Sequence, residues 1–360
     1  MTLSRTPAFW YNMAMIRKLG FLAAPLLFAA AFAPSPCAAQ GAAAMPTSST
    51  RYATDAYPGF DREEEIVASG KKDPRWFSWI NGPSKDNAKD QLEYARECAV
   101  KESWRKARRA YDALVREWPA SPEAPVAQKA LADICLVRFK DYEAAFTEYK
   151  YLLDYYSSSC DFDAMAAKMY ESAKLMKKAG KSFMFFRFAN TVDVRRAFEA
   201  VVLRAPGASY APEAMMTVAG LREDECDWEK AVLVYENLRS LFGHEPEAKE
   251  ALHREGRARM NLVREHGYNR ARCLDTIGFL RQALASGPDA ASKADFEKWL
   301  QEVVGLVEDE AYAAARFYDS KTRTRRSAIN AYERFLAEHP ASVHAEEARA
   351  RLTELQQEGK

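Results

Sequence analysis

The chain has 360 residues, 48% of them apolar, and its Lys and Arg balance its Asp and Glu to a net charge of +1. Setting aside residues 1–39, whose charges are Arg5, Arg17 and Lys18, leaves 49 basic side chains against 51 acidic, so nothing in the charge favours nucleic acid. Ala-, Glu-, Arg- and Leu-rich stretches with few Val/Thr alternations argue against sheets and for an all-α protein.

Residues 1–39 read as a secretory signal peptide. Arg17 and Lys18 precede an uncharged run from Leu19 to Ala33, followed by small residues up to Ala39. The run holds 15 residues and contains Pro25, short of the ~20 apolar residues a membrane-spanning helix needs. Cys37 is a poor lipidation candidate, because Pro36 and Pro34 stand where a lipoprotein signal wants a small and an aliphatic residue. Residues 40–85 read as a flexible linker with an aromatic segment around Trp76, Phe77 and Trp79. Those rings either cap the first helical unit or form a hook for a partner, which makes Trp76 and Trp79 docking candidates.

From residue 86 to 357 one motif recurs: a large apolar anchor, a small residue four positions before it, and a proline eight positions after it. Tyr111 with Pro119, Phe198 with Pro206 and Tyr332 with Pro340 are complete copies. At Tyr149 and Tyr235 the proline has become Ser157 and Gly243, and Leu280 with Pro288 is the loosest copy. Anchors at 111, 149, 198, 235, 280 and 332 leave room for two helices per unit, the mark of an α-solenoid of about five to six helix-turn-helix repeats. Offsets of minus seven, minus four, zero, plus three and plus four lie on one helix stripe, so Trp104, Ala107, Tyr111, Leu114 and Val115 face the same way. Proline then breaks the helix, and Ser121 or Ser342 is placed to cap the next one.

Five cysteines remain beyond Cys37. Cys98 and Cys135, at similar places in adjacent repeats, could bridge, but small core residues are the preferred reading. Neither a metal-ligand cluster, a catalytic serine elbow nor a phosphate or dinucleotide loop is visible, so neither catalytic residues nor cofactors are expected. Arg105, Lys106, Arg108 and Arg109 read as a wet helix face, and Phe183 to Phe188 as filling of an irregular joint. In a solenoid the first helices of successive repeats line a concave surface. Leu92, Arg96, Lys129 and Asp133, judged off the packing stripe, are therefore the peptide-groove candidates. Lys321, Arg323, Arg325 and Arg326, before the last repeat helix, are candidates for docking a partner or lipid headgroups.

Units such as Trp104 to Ser121 and Lys140 to Ala145 resemble tetratricopeptide repeats. The C-terminal run Ala311 to Tyr318, Ser327 to Leu336 and Glu338 to Ser342 resembles the last repeats of the BamD family of outer-membrane protein assembly lipoproteins. The resemblance implies a non-enzymatic protein of the periplasm, at the inner face of the outer membrane and peripherally associated with it. Its partners would be unfolded outer-membrane proteins and a barrel insertase. A general cell-envelope scaffold of the Tol-Pal-associated repeat type is the alternative from the same fold.

Overall fold

The computed structural model describes residues 57–60, 82–180, 191–265, 268–321 and 324–357. Among them all regular elements are helical, and thirteen α-helices follow one another as neighbours in space. Six successive helix pairs form: α1 (Ala88–Val100) with α2 (Trp104–Glu117), α3 (Ala124–Ile134) with α4 (Tyr142–Tyr156), and α5 (Phe162–Gly180) with α6 (Thr191–Arg204). The series continues with α7 (Ala211–Asp224) and α8 (Trp228–Leu241), α9 (Pro246–Glu265) and α10 (Arg270–Ala285), α11 (Ala290–Lys321) and α12 (Arg325–Glu338), and α13 (Ala345–Gln357) closes it. Among the described residues the fold is an all-helical α-solenoid of six helix pairs and one further helix at the end. Among the described residues no helix is long and apolar enough to cross a membrane.

All six sequence anchors lie on the second helix of a pair, and all six are buried. On α2 the predicted Ala107, Tyr111, Leu114 and Val115 are buried, together with Ala110 and Ala113, while Trp104 is half-buried against the core. Two anchor tyrosines turn their hydroxyls onto the first helix of their own pair: Tyr149 donates to Asp133 at 2.5 Å and Tyr332 to Asp319 at 3.3 Å. In the first and second pairs Gln91 and Gln128 act in the reverse sense, donating from the first helix to the carbonyls of Ala110 and Glu148, each one residue before an anchor. These bonds satisfy polar groups that burial would otherwise penalise by roughly 1–3 kcal/mol each.

Two kinds of turn alternate. Between repeats the same three backbone bonds recur: Trp118 N–H to Leu114, Ser121 N–H to Trp118 and Ala124 N–H to Ser121 in the first. Equivalent bonds run through Ala205, Ala208 and Ala211, through Phe242, Glu245 and Ala248, and through His339, Ser342 and Ala345. The ladder survives the replacement of proline by Gly243 because it is built from main chain. Ser121 is not a side-chain cap as expected; its carbonyl accepts from Ala124, and α3 starts after Glu123 without a side-chain cap. Ser342 uses its hydroxyl on the His344 N–H, one residue ahead of α13.

Within repeats, Glu102, Lys140 and Cys226 take positive φ of 52°, 52° and 57°. After α7, Cys226 N–H bonds to Glu223 and Asp227 N–H to Arg222, the two bonds of a Schellman close. Asp227 then caps α8 by accepting from Lys230 N–H, as Asp141 caps α4 by accepting from Ala144 N–H.

Buried apolar side chains form one continuous core from Leu92 to Leu262, across the first four pairs and onto α9 through Ala248, Ala251, Ala258 and Leu262. A second cluster joins Met260, Val263, Leu280, Phe296, Trp299 and Val303, and a third joins Tyr312, Tyr332, Phe335, Ala348 and Leu355. Helix α11, 32 residues and about 48 Å long, contributes its first half to the second cluster and its second half to the third. The close approach of α9 and α11 depends on Gly256, where a Cβ would lie 2.9 Å from the Phe296 ring and 3.0 Å from Trp299. Cys98, Cys135 and Cys273 are buried thiols, Cys160 is half-buried and Cys226 exposed; none of the five forms a disulfide, so Cys98 and Cys135 are core residues.

Candidate peptide-binding site

The four groove candidates part ways in the structure. Leu92 is a correction: at 7% exposure it belongs to the core, on a stripe of α1 with Gln91, Ala95 and Cys98. Asp133 is engaged by the Tyr149 hydroxyl, and that carboxylate, after burial, helps to push the phenol far above its ordinary range. Arg96 and Lys129 are exposed, on the first helices of adjacent repeats. Burial raises the Tyr111 phenol pKa while the Arg96 charge opposes it, and Lys129 acts likewise on the Cys160 thiol, whose pKa burial also raises.

Of the basic docking candidates, Arg325 opens α12 and its Nε donates to the Leu355 carbonyl in α13, so it ties the capping helix down. Arg326 is exposed, and Lys321 is the last residue of α11. Trp76, Trp79, Arg323, Cys37 and the Phe183–Phe188 run lie outside the described residues. Arg105, Lys106 and Arg109 are exposed as expected, while Arg108 reaches Asp141 at 3.7 Å. Among the described residues no group of three or more His, Cys, Asp or Glu could hold a metal ion.

A site that the sequence reading passed over lies on the fourth repeat. Tyr57, Pro58, Gly59 and Phe60 form a β-turn closed by a bond from Phe60 N–H to the Tyr57 carbonyl, 3.2 Å. Pro58 presets the second position, and Gly59 has φ +88° at the third, the type II pattern that an L side chain resists. The Tyr57 and Phe60 rings stack at 5.4 Å and pack against the main core, and burial raises the Tyr57 phenol pKa.

The turn is seated on α7 and α8, more than 160 residues away in sequence. Arg222 Nη2 donates to the Gly59 carbonyl at 2.9 Å. A Cβ at Gly59 would lie 2.6 Å from the Lys230 carbonyl oxygen, 2.8 Å from Val234 Cγ2 and 3.3 Å from Leu233 Cβ, so the backbone of the turn touches the backbone of α8. Only glycine meets both the left-handed conformation and the close approach.

Arg222 is 2% exposed and held by a charged cluster. Its Nη2 bonds to Glu199 at 3.1 Å, and its Nη1 lies 3.4 Å from Asp227 and 3.7 Å from Glu225. Arg195 completes the cluster, reaching Glu199 at 2.9 Å and both oxygens of Glu225 at 3.0 and 3.1 Å. Two guanidinium groups therefore face three carboxylates, which suits buried charge, since an isolated ion there would cost several kcal/mol. The carboxylates fix the guanidinium plane and leave one N–H aimed at a main-chain carbonyl. The arrangement holds the turn's backbone through Arg222 and its rings through the adjoining core.

No protein-family model matches this sequence, and no curated protein is significantly similar to it. Among solved structures, a tetratricopeptide repeat protein from Parabacteroides merdae is 11% identical and aligns over 75% of this chain and 98% of its own, with a TM-score of 0.26. The C-terminal part of a TPR repeat-containing protein from Cytophaga hutchinsonii is 13% identical over 71% of this chain and 98% of its own, with a TM-score of 0.27. Superpositions this loose say nothing about function.

Proposed function

We propose that this chain is a non-enzymatic repeat scaffold of the bacterial cell envelope that holds protein segments, and that it serves the assembly of outer-membrane β-barrel proteins. The observation that carries the binding role is the seated turn: a short segment with no regular structure is held on the helical array through one backbone carbonyl and two rings. Tetratricopeptide-like arrays gain such surfaces by stacking, because each helix pair is fixed by its neighbours and its outer residues are free to contact a partner. The envelope setting rests on the leader-like residues 1–39, and the assembly role on the resemblance of residues 311–342 to the last repeats of the BamD family. In this reading unfolded outer-membrane proteins are the clients and a barrel insertase is the docking partner.

Affinity capture of the tagged full-length chain from detergent-solubilised envelopes, with partners identified by mass spectrometry, tests the assembly role. Recovery of a barrel insertase is the expected result. Recovery of wall-associated or Tol-Pal components alone would contradict it and leave a general scaffold.

A further inference from the structure

The Tyr57–Phe60 turn makes little use of the chain it belongs to. Its shape is local, set by Pro58, by Gly59 and by its own closing hydrogen bond. Pro58 is exposed, so the proline acts through its fixed φ and not through contact. The features read by the array are a carbonyl, a Cα without a side chain and the two flanking rings, all of which another polypeptide could present in the same turn.

The notch, in turn, does not depend on its occupant. Val234 belongs to the main core together with Val232, Tyr235 and Leu238 of the same helix. Arg222 has Glu199, Asp227 and Glu225 as partners in addition to Gly59. Leu233, at the rim, is 40% exposed even with the turn in place. A preformed site whose occupant is tethered but self-shaped is a site open to exchange, and cis occupancy lowers its apparent affinity for an outside ligand by the fraction of time it is filled.

We propose that the α7–α8 notch is a binding site for an aromatic-Pro-Gly-aromatic β-turn presented by a partner protein, and that Tyr57–Phe60 is the built-in occupant which that partner displaces. This rests on the protein-binding role proposed above but not on the envelope setting. Specificity comes from three demands: glycine at the third turn position, a free carbonyl there for Arg222, and an apolar ring on each side. Partner turns with any other residue in place of the glycine are excluded by the Lys230 carbonyl.

The probe is a fluorescently labelled synthetic peptide of residues 54–63, titrated by anisotropy into three full-length proteins: the wild type, Gly59→Ala, and Gly59→Ala with Leu233→Glu. Gly59→Ala cannot seat its own turn and should bind the peptide at least about tenfold more tightly than the wild type, the gain expected when a site filled about nine-tenths of the time is emptied. Leu233→Glu should abolish that binding while helicity stays unchanged, since the side chain sits at the rim. A peptide carrying alanine for glycine should not bind. Equal affinity for wild type and Gly59→Ala, or binding that survives Leu233→Glu, would overturn the proposal. A wild-type dimer that forms with concentration and is lost in Leu233→Glu would overturn it in favour of exchange between copies. If the titration succeeds and the envelope capture fails, the notch serves another client; if the reverse, the insertase contact lies elsewhere on the array.

Discussion

From Leu92 to Leu262 the buried side chains run unbroken through four helix pairs and onto one side of α9, whereas Met260, Val263 and the residues after them divide into one cluster around Phe296 and Trp299 and another around Tyr312 and Phe335. Both regions use the same anchor motif. In the first, each second helix is followed closely by the next first helix, and small residues such as Ala124, Ala211 and Ala248 let apolar surfaces meet across the repeat boundary. In the second, helix α11 is long enough to carry its two halves into different clusters, and α10 and α12 meet through an exposed pair, Arg270 and Glu338 at 3.5 Å. Anchor spacing thus specifies helix pairs, but continuity of the core between pairs depends on helix length and on what lies at each boundary.

The largest expected effect separates the two regions. Phe198→Ala empties a fully buried site in the continuous core and should cost about 3–5 kcal/mol, seen as one cooperative loss of helicity and of exchange protection through the first four pairs. Phe335→Ala removes a ring buried to the same degree, yet hydrogen exchange should show its damage confined to α12, α13 and the adjoining end of α11. Spread of that damage into α1–α8 would break the distinction.

A smaller effect concerns the boundary itself. Gly256→Val sets methyl groups against Phe296 and Trp299 and should cost about 1–3 kcal/mol, lowering the protection of α11 before that of α1–α8. Cys226→Gly works the other way. Relief of a left-handed, exposed, non-glycine residue should raise stability by about 1 kcal/mol, read as a shift of the main unfolding transition in urea.

The smallest effect is on acidification. Arg351 and Tyr332 hold the Asp319 carboxyl below its ordinary value of 3.8, and Arg264 and Arg334 do the same to Glu302 and Glu338, below 4.5. For a carboxylate whose folded pKa is depressed, the stabilisation is complete above the unfolded value and disappears as pH falls through the folded one. The last repeats should therefore lose exchange protection as pH drops below about 4, and Asp319→Asn should flatten that response.

Much of the fold was legible because it rests on apolar spacing. Tyr111, Tyr149, Phe198, Tyr235, Leu280 and Tyr332 are all where their stripes place them, and Pro119, Pro206, Pro288 and Pro340 all lie in the turns between repeats. The turns inside repeats were opaque, since Glu102, Lys140 and Cys226 adopt positive φ without the glycine that would announce it. Leu92 was misjudged because its stripe includes Gln91, a polar residue buried through bonds to Ala110 and to the N–H groups of Ser84 and Lys85. The turn at Pro58-Gly59 was passed over within the 40–85 linker, and no local pattern says that such a turn will seat on helices more than 160 residues further on; Arg222 and Glu199 look like any surface pair until α6, α7 and α8 are brought together.

The seating of that turn is tested most directly by placing a photoreactive amino acid at Leu233 in the full-length chain, irradiating it, and identifying the joined peptides by mass spectrometry. A crosslink within one chain to the peptide containing Tyr57–Phe60 is the expected product. Crosslinks that never involve that peptide, in protein of unchanged helicity, would contradict the assignment of the α7–α8 notch as a site that holds a polypeptide turn.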